Sequence, residues 1–197
     1  MSVRIVLASK SAVRRSILIN AGLDVDVVSP GVDEDAIKTK MTGQGAEAIA
    51  QALAEAKARA VSLQRLDDWV IGADQILRLE GRLYDKAASL DAAKERLDHL
   101  RGRAHELVCA VALARAGEIR RTHVAVSRLE MRSFSDAFLD NYLERAGEGI
   151  LASVGCYAYE SLGAQLFDRV DGDFYAILGL PLLPLLAMLR GEGALPS

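Results

Sequence analysis

An apolar stretch at residues 3–7 runs through two hydroxyls straight into an amphipathic helix with paired arginines, Leu7-Ala8-Ser9-Lys10-Ser11-Ala12-Val13-Arg14-Arg15. A strand that feeds a helix within a few residues is the building unit of α/β folds. The junction also constrains chemistry. A helix N-terminus presents unpaired N–H groups and the positive end of its dipole. Hydroxyls add donors there, and arginines add planar forks that match phosphate oxygens. The segment therefore reads as an anion site, phosphate above all. It reads equally as a plain helix start, with Ser9 or Ser11 as the cap and Arg14 and Arg15 on a solvated face.

The rest of the chain alternates strands and helices early and shows antiparallel pairing later. Residues 25–29 form a short strand. Residues 33–42 are charged, open between a mobile stretch and a solvated helix start, and Gly43-Gln44-Gly45 separates them from a strong helix at 46–63. The apolar run 69–77 reads as buried strand at both ends, interrupted by Gly72 and Asp74. A helix at 90–100 precedes strands at 106–114 and 119–131, joined by an Arg115-Ala116-Gly117-Glu118 turn. Helices follow at 135–145, with Ser133 or Ser135 as cap, and at 180–190, with Pro181 near the start. The expected fold is α/β, with a mixed twisted sheet and flanking helices.

Length and charge narrow the function. A chain of 197 residues fits one domain, or one domain with two lobes around a cleft. The net charge of −3 argues against a large nucleic-acid surface but leaves room for a local basic cluster that binds a small nucleotide. No charge-free apolar run approaches the roughly 20 residues of a membrane span. The start Met1-Ser2-Val3-Arg4 has no secretory pattern, and Cys109 and Cys156, far apart in apolar surroundings, suit reduced buried thiols; a cytoplasmic protein is expected. His99, His105 and His123 lack zinc-ligand spacing and read as surface or strand-end residues.

Several side chains carry the chemistry. Asp74, bracketed by Val70-Ile71 and Ile76-Leu77, is costly to bury without a partner. It is a candidate for holding a divalent cation or activating water, against a structural acid that caps a turn or pairs with a lysine. Asp33-Glu34-Asp35 is either a solvated helix start or the rest of a carboxylate set for Mg²⁺. Lys57 and Lys86 are unremarkable singly. Two hydroxyls, two arginines, two lysines and two acidic positions together suit a metal-bound polyphosphate. Farther on, Gly155-Cys156-Tyr157-Ala158-Tyr159-Glu160 offers glycine for close approach, tyrosine for stacking and a carboxylate that accepts from the guanine edge. An ordinary Gly-rich loop is the competing reading.

These segments, in this order, resemble the Maf family of nucleotide pyrophosphatases. The opening Leu-Ala-Ser-x-Ser-x-x-Arg-Arg pattern is followed by Val32-Asp33-Glu34, Ala54-Glu55-Ala56-Lys57-Ala58, Gly72-Ala73-Asp74-Gln75, Lys86 and Gly179-Leu180-Pro181-Leu182. The resemblance spans nearly the whole chain. Ala12, Val13 and the Asp85-Lys86-Ala87 step depart from the pattern, where proline, tryptophan and Gly-Lys-Pro are usual.

The resemblance implies a single domain over 1–197, two-lobed and similar to inosine-triphosphate pyrophosphatase, with the nucleotide in the cleft. It implies cleavage of a nucleoside triphosphate between the α and β phosphates, with Mg²⁺ or Mn²⁺. By motif, Ser9, Arg14, Arg15, Lys57 and Lys86 would hold the polyphosphate, and Glu34 and Asp74 would serve the metal and the attacking water, Asp74 as general base. Gln75 and Glu160 resemble the 7-methyl-GTP branch more than the dTTP/UTP branch. A nucleotide-binding regulator of septum formation with little turnover is the alternative from another class. A homodimer through the apolar last helix competes with that helix being core, and core is the expectation.

Overall fold

The computed structural model describes residues 4–196. Val3, which opens the first expected strand, and the Met1-Ser2 start lie outside the described residues. Seven strands form one sheet in the order β2-β1-β3-β5-β6-β7, with β4 paired to β3. The strands are β1 (Ile5–Leu7), β2 (Val25–Val27), β3 (Trp69–Leu79), β4 (Arg82–Tyr84), β5 (Ala104–Arg115), β6 (Glu118–Met131) and β7 (Phe167–Asp171). β1 is parallel to β2 and β3, and every other pairing is antiparallel, so the sheet is mixed as expected. The helices are α1 (Ala12–Asn20), α2 (Glu34–Lys40), α3 (Ala46–Ser62), α4 (Leu90–Leu100), α5 (Asp136–Ala146), α6 (Phe174–Ile177) and α7 (Leu182–Gly191). Among the described residues, none is long and apolar enough to cross a membrane.

β3 organises the molecule through the two-residue period of a strand. On one face Trp69, Ile71 and Ala73 enter the core beneath α1 and α7, while Leu77 and Leu79 enter a second core with α4 and α5. Gln75 stands between these cores. On the other face Ile76 packs on the Ala-rich side of α3, which also covers β5. The expected interruption at Gly72 and Asp74 does not occur; β3 is continuous. Gly72 is accommodated because α3 lies directly on it, and Asp74 because a lysine from that helix neutralises it.

Residues 33–42 resolve as α2, so the mobile reading gives way to the helix start. Asp33 Oδ1 accepts from the Ala36 N–H at 2.9 Å, with acids in the first turn and lysines in the last, as the helix dipole favours. Sequence periodicity missed β7, α6 and the 3-10 turns at Gly147–Ala152 and Leu162–Leu166, all too short to repeat. α7 buries Leu182, Leu185 and Leu189 in the core, as expected. Cys109 and Cys156 are buried free thiols, and burial raises the Cys109 thiol to about 12.

Candidate active site

A cleft of about 840 Å³ opens where β1, α1, α2, β3 and the segments after β4 and α5 meet. Its floor is an acid–base–acid cluster. Lys57 Nζ, from α3, donates to Asp74 Oδ1 at 2.7 Å and lies 2.8 Å from Glu34 Oε1 at the start of α2. Lys57 and Asp74 are only 6% and 7% exposed, so each is the other's principal compensation for leaving water. Burial still pushes the Asp74 carboxyl above the ordinary carboxylate value; Lys57 and Arg14 oppose the shift and Glu34 adds to it. An acid held up in this way is a stronger base once ionised.

Gly72 sets this geometry. A Cβ there would lie 2.2 Å from the Ala54 carbonyl oxygen and 2.6 Å from the Ala58 nitrogen. The absent side chain lets α3 sit close enough for Lys57 to reach Asp74, two residues along the same face of β3.

At the opening junction the two serines divide the roles that the sequence left open. Ser11 Oγ caps α1, accepting from the Arg14 N–H at 3.3 Å. Ser9, 6% exposed, lines the cleft, and its Oγ accepts from the Ser11 N–H at 3.2 Å and from Arg14 Nη1 at 3.3 Å. Arg14 spans the wall: Nε donates to the Gly179 carbonyl at 2.7 Å and Nη1 to the Ala73 carbonyl at 2.9 Å. Nη2 keeps no partner among the described residues. Arg15 is exposed and outside the cleft lining. Successive helix residues point about 100° apart, so a helix that aims Arg14 inward turns Arg15 away. The paired arginines therefore contribute one side chain to the site.

Lys86 lines the cleft from the loop after β4 and makes no ion pair among the described residues. Burial, with Arg14 and Lys57 nearby, holds its ammonium below the usual lysine value. Sequence reasoning missed two charged neighbours. Lys38 of α2 and Asp85 of the same loop form an ion pair and both line the cleft. The i,i+4 spacing of Glu34 and Lys38 on one helix face was the available signal.

At the other end, Tyr159 and exposed Glu160 line the opening. Tyr159 stands edge-on to Phe167, with Phe174 on a further side. Tyr157 is largely committed to the core: it is 3% exposed, and its hydroxyl lies 2.7 Å from His105 Nε2. Gln75 also lines the cleft, but its amide Nε2 donates to the Ala176 and Ile177 carbonyls at 2.9 and 3.0 Å, tying α6 to β3.

Among the described residues, no group of three or more His, Cys, Asp or Glu side chains converges to hold a metal. Two carboxylates, Glu34 and Asp74, do converge on one ammonium nitrogen. A pair of this kind suits a hard cation that takes its remaining oxygens from substrate phosphates and water. It does not suit an all-protein zinc or calcium cage.

Fold and site together define a mixed α/β protein with a cleft in which a hydroxyl, an arginine and lysines stand beside paired carboxylates. The family model described as "Maf-like protein" matches residues 4–192, and the chain belongs to the Maf family. It is 53% identical to a nucleoside triphosphate pyrophosphatase of Caulobacter vibrioides, over 97% of this chain and 96% of the relative. A protein of the same name from Maricaulis maris is 49% identical over 98% of each chain. A 7-methyl-GTP pyrophosphatase of Brucella abortus is 43% identical, also over 98% of each. Among solved structures, a HAM1 protein from Coxiella burnetii gives a TM-score of 0.42 at 18% identity over 66% of this chain and 73% of that one, a partial likeness.

Proposed function

We propose that this chain is a hydrolase that cleaves nucleoside triphosphates between the α and β phosphates, releasing a monophosphate and pyrophosphate. The observation that carries the reading is the Glu34–Lys57–Asp74 cluster on the floor of a cleft whose rim holds Ser9, Arg14 and Lys86. The relatives' names agree with it. Lys86, the free Nη2 of Arg14 and the Ser9 hydroxyl bind phosphate oxygens, and the buried Lys57 fixes the two carboxylates. Asp74 takes the proton of the attacking water, the role for which its raised carboxyl is suited. Glu34 and Asp74 would hold Mg²⁺ or Mn²⁺, which when bound neutralises phosphate charge and makes water more acidic.

The two-lobed, one-domain reading is supported by a single sheet that runs through two large cores, which part at Gln75. For the base, Tyr159 and Glu160 favour a purine with N–H donors, 7-methyl-GTP in particular, whose cationic ring a carboxylate attracts. Gln75 ties α6 to β3 through Nε2, which leaves its amide oxygen as the group that can accept from the base.

A nucleotide panel with Mg²⁺ and pyrophosphate detection tests the reaction. The ratio of kcat/KM for 7-methyl-GTP to that for UTP tests the base. Glu160→Gln lowers that ratio if Glu160 reads the base, and an unchanged ratio removes that role.

A further inference from the structure

Of the four lysines that line the cleft, Lys38, Lys57 and Lys86 are held in different ways. Lys57 is locked between two carboxylates with side-chain exposures of 8% for itself and 10% for Asp74. Breaking that contact strands a buried carboxylate, which is strongly unfavourable. Lys86 has no ion-pair partner among the described residues. Lys38 is intermediate: it pairs with Asp85, and the side chains are 28% and 75% exposed. A pair so open to water is screened and contributes little to stability. Burial lowers the Lys38 ammonium pKa, but Asp85, with Asp74 and Glu34 farther off, overcomes this and raises it, so the side chain stays charged within the field of the cluster.

We propose that Lys38 is a further polyphosphate-binding residue, held by Asp85 until the distal phosphates of the substrate displace that carboxylate. The proposal rests on the reading of the cleft as a nucleotide site and adds a ligand-exchange step to it. A polyphosphate carries more charge than one carboxylate and offers several oxygens, so exchange favours the phosphate. The geometry also positions the loop. Asp85 draws the segment carrying Lys86 toward α2, and Arg96 Nη1 steadies it by donating to the carbonyls of Asp85 and Val154. Lys38 and Lys86 thus face the cleft from two elements joined by a contact that is readily broken.

The test uses the full chain with Mg²⁺. Inorganic tripolyphosphate and a nucleoside monophosphate are titrated into wild type, Lys38→Ala, Lys38→Gln and Asp85→Asn by calorimetry, each variant first shown to melt like wild type. Both Lys38 variants are expected to weaken tripolyphosphate about tenfold, the scale of one charge-assisted hydrogen bond. Asp85→Asn tightens it, because the competing carboxylate is gone. Monophosphate affinity stays within about twofold throughout. Unchanged tripolyphosphate affinity in the Lys38 variants overturns the proposal. So does weakening in Asp85→Asn equal to that in Lys38→Ala, since the pair would then only shape the mouth. A wild type that binds tripolyphosphate but cleaves no nucleotide refutes the enzymatic reading and leaves this test standing.

Discussion

Gly72 and Ala54 are in closer contact than any side chain at position 72 would permit: a Cβ there would stand 2.2 Å from the Ala54 carbonyl oxygen. The two nearest obstructing atoms are backbone on a helix that also packs on β5, so the helix itself must move. Because Lys57 rides on that helix, the contact couples packing to chemistry. Gly72→Ala is expected to cost about 1–3 kcal/mol of stability, the scale of overpacking. It is also expected to lower kcat more than tenfold by pulling Lys57 off Asp74. Denaturant melts and steady-state rates check both. A variant as stable and active as wild type would remove Gly72 from the account.

The division of labour between the two arginines is tested by removing each. Arg14→Ala loses two backbone ties and a cleft donor, and is expected to raise KM and to lower stability by about 2 kcal/mol. Arg15→Ala is expected to change KM less than about twofold and stability by less than about 0.5 kcal/mol, as for an exposed side chain. Equal losses in the two variants would contradict the helix phase.

With no cation bound, the Asp74 carboxyl stands above the ordinary carboxylate value of 3.8, and this sets how stability depends on pH. Between that value and the raised one, the folded chain holds a proton that the unfolded chain has lost. Asp74's contribution to stability therefore declines as pH rises through this window. Asp74→Asn should remove that slope from a pH series of melts; an identical slope would mean another group causes it.

His105 gives a second pH signature, with the reverse sense. It is 1% exposed, Nδ1 has no partner, and burial lowers its pKa from 6.5 to about 4. Between these values the unfolded chain binds a proton that the folded chain refuses, so stability is lost as pH falls. The difference between 6.5 and about 4, at about 1.4 kcal/mol per unit, is about 3 kcal/mol. His105→Gln should flatten melting stability over that range. A slope unchanged by the substitution would assign the effect elsewhere.

Much of this was legible in the chain because local chemistry wrote it. Ser11 and Ser135, both marked as cap candidates, each cap the helix that periodicity placed after them. Asp74 stood out because an acid inside an apolar run needs a partner. Its partner, Lys57, was marked as a candidate but not as the side chain that pairs with it, since the pairing depends on how α3 crosses β3. Arg15 lies outside the cleft lining, and Gln75 lines it with Nε2 already engaged, for a related reason. A motif records residue types, whereas helix phase and the arrival of α6 decide where a side chain faces and whether its donors are free. Lys38 and Asp85 lie 47 residues apart, and only the folded loop brings them together.

The most direct measurement follows the phosphorus products of nucleoside triphosphate hydrolysis by NMR, for wild type and Asp74→Asn side by side with Mg²⁺. The account predicts monophosphate and pyrophosphate from wild type, with turnover in the variant reduced at least about a hundredfold, as expected for a lost general base, while nucleotide binding is retained. Diphosphate and orthophosphate as products, or equal turnover by the variant, would contradict it.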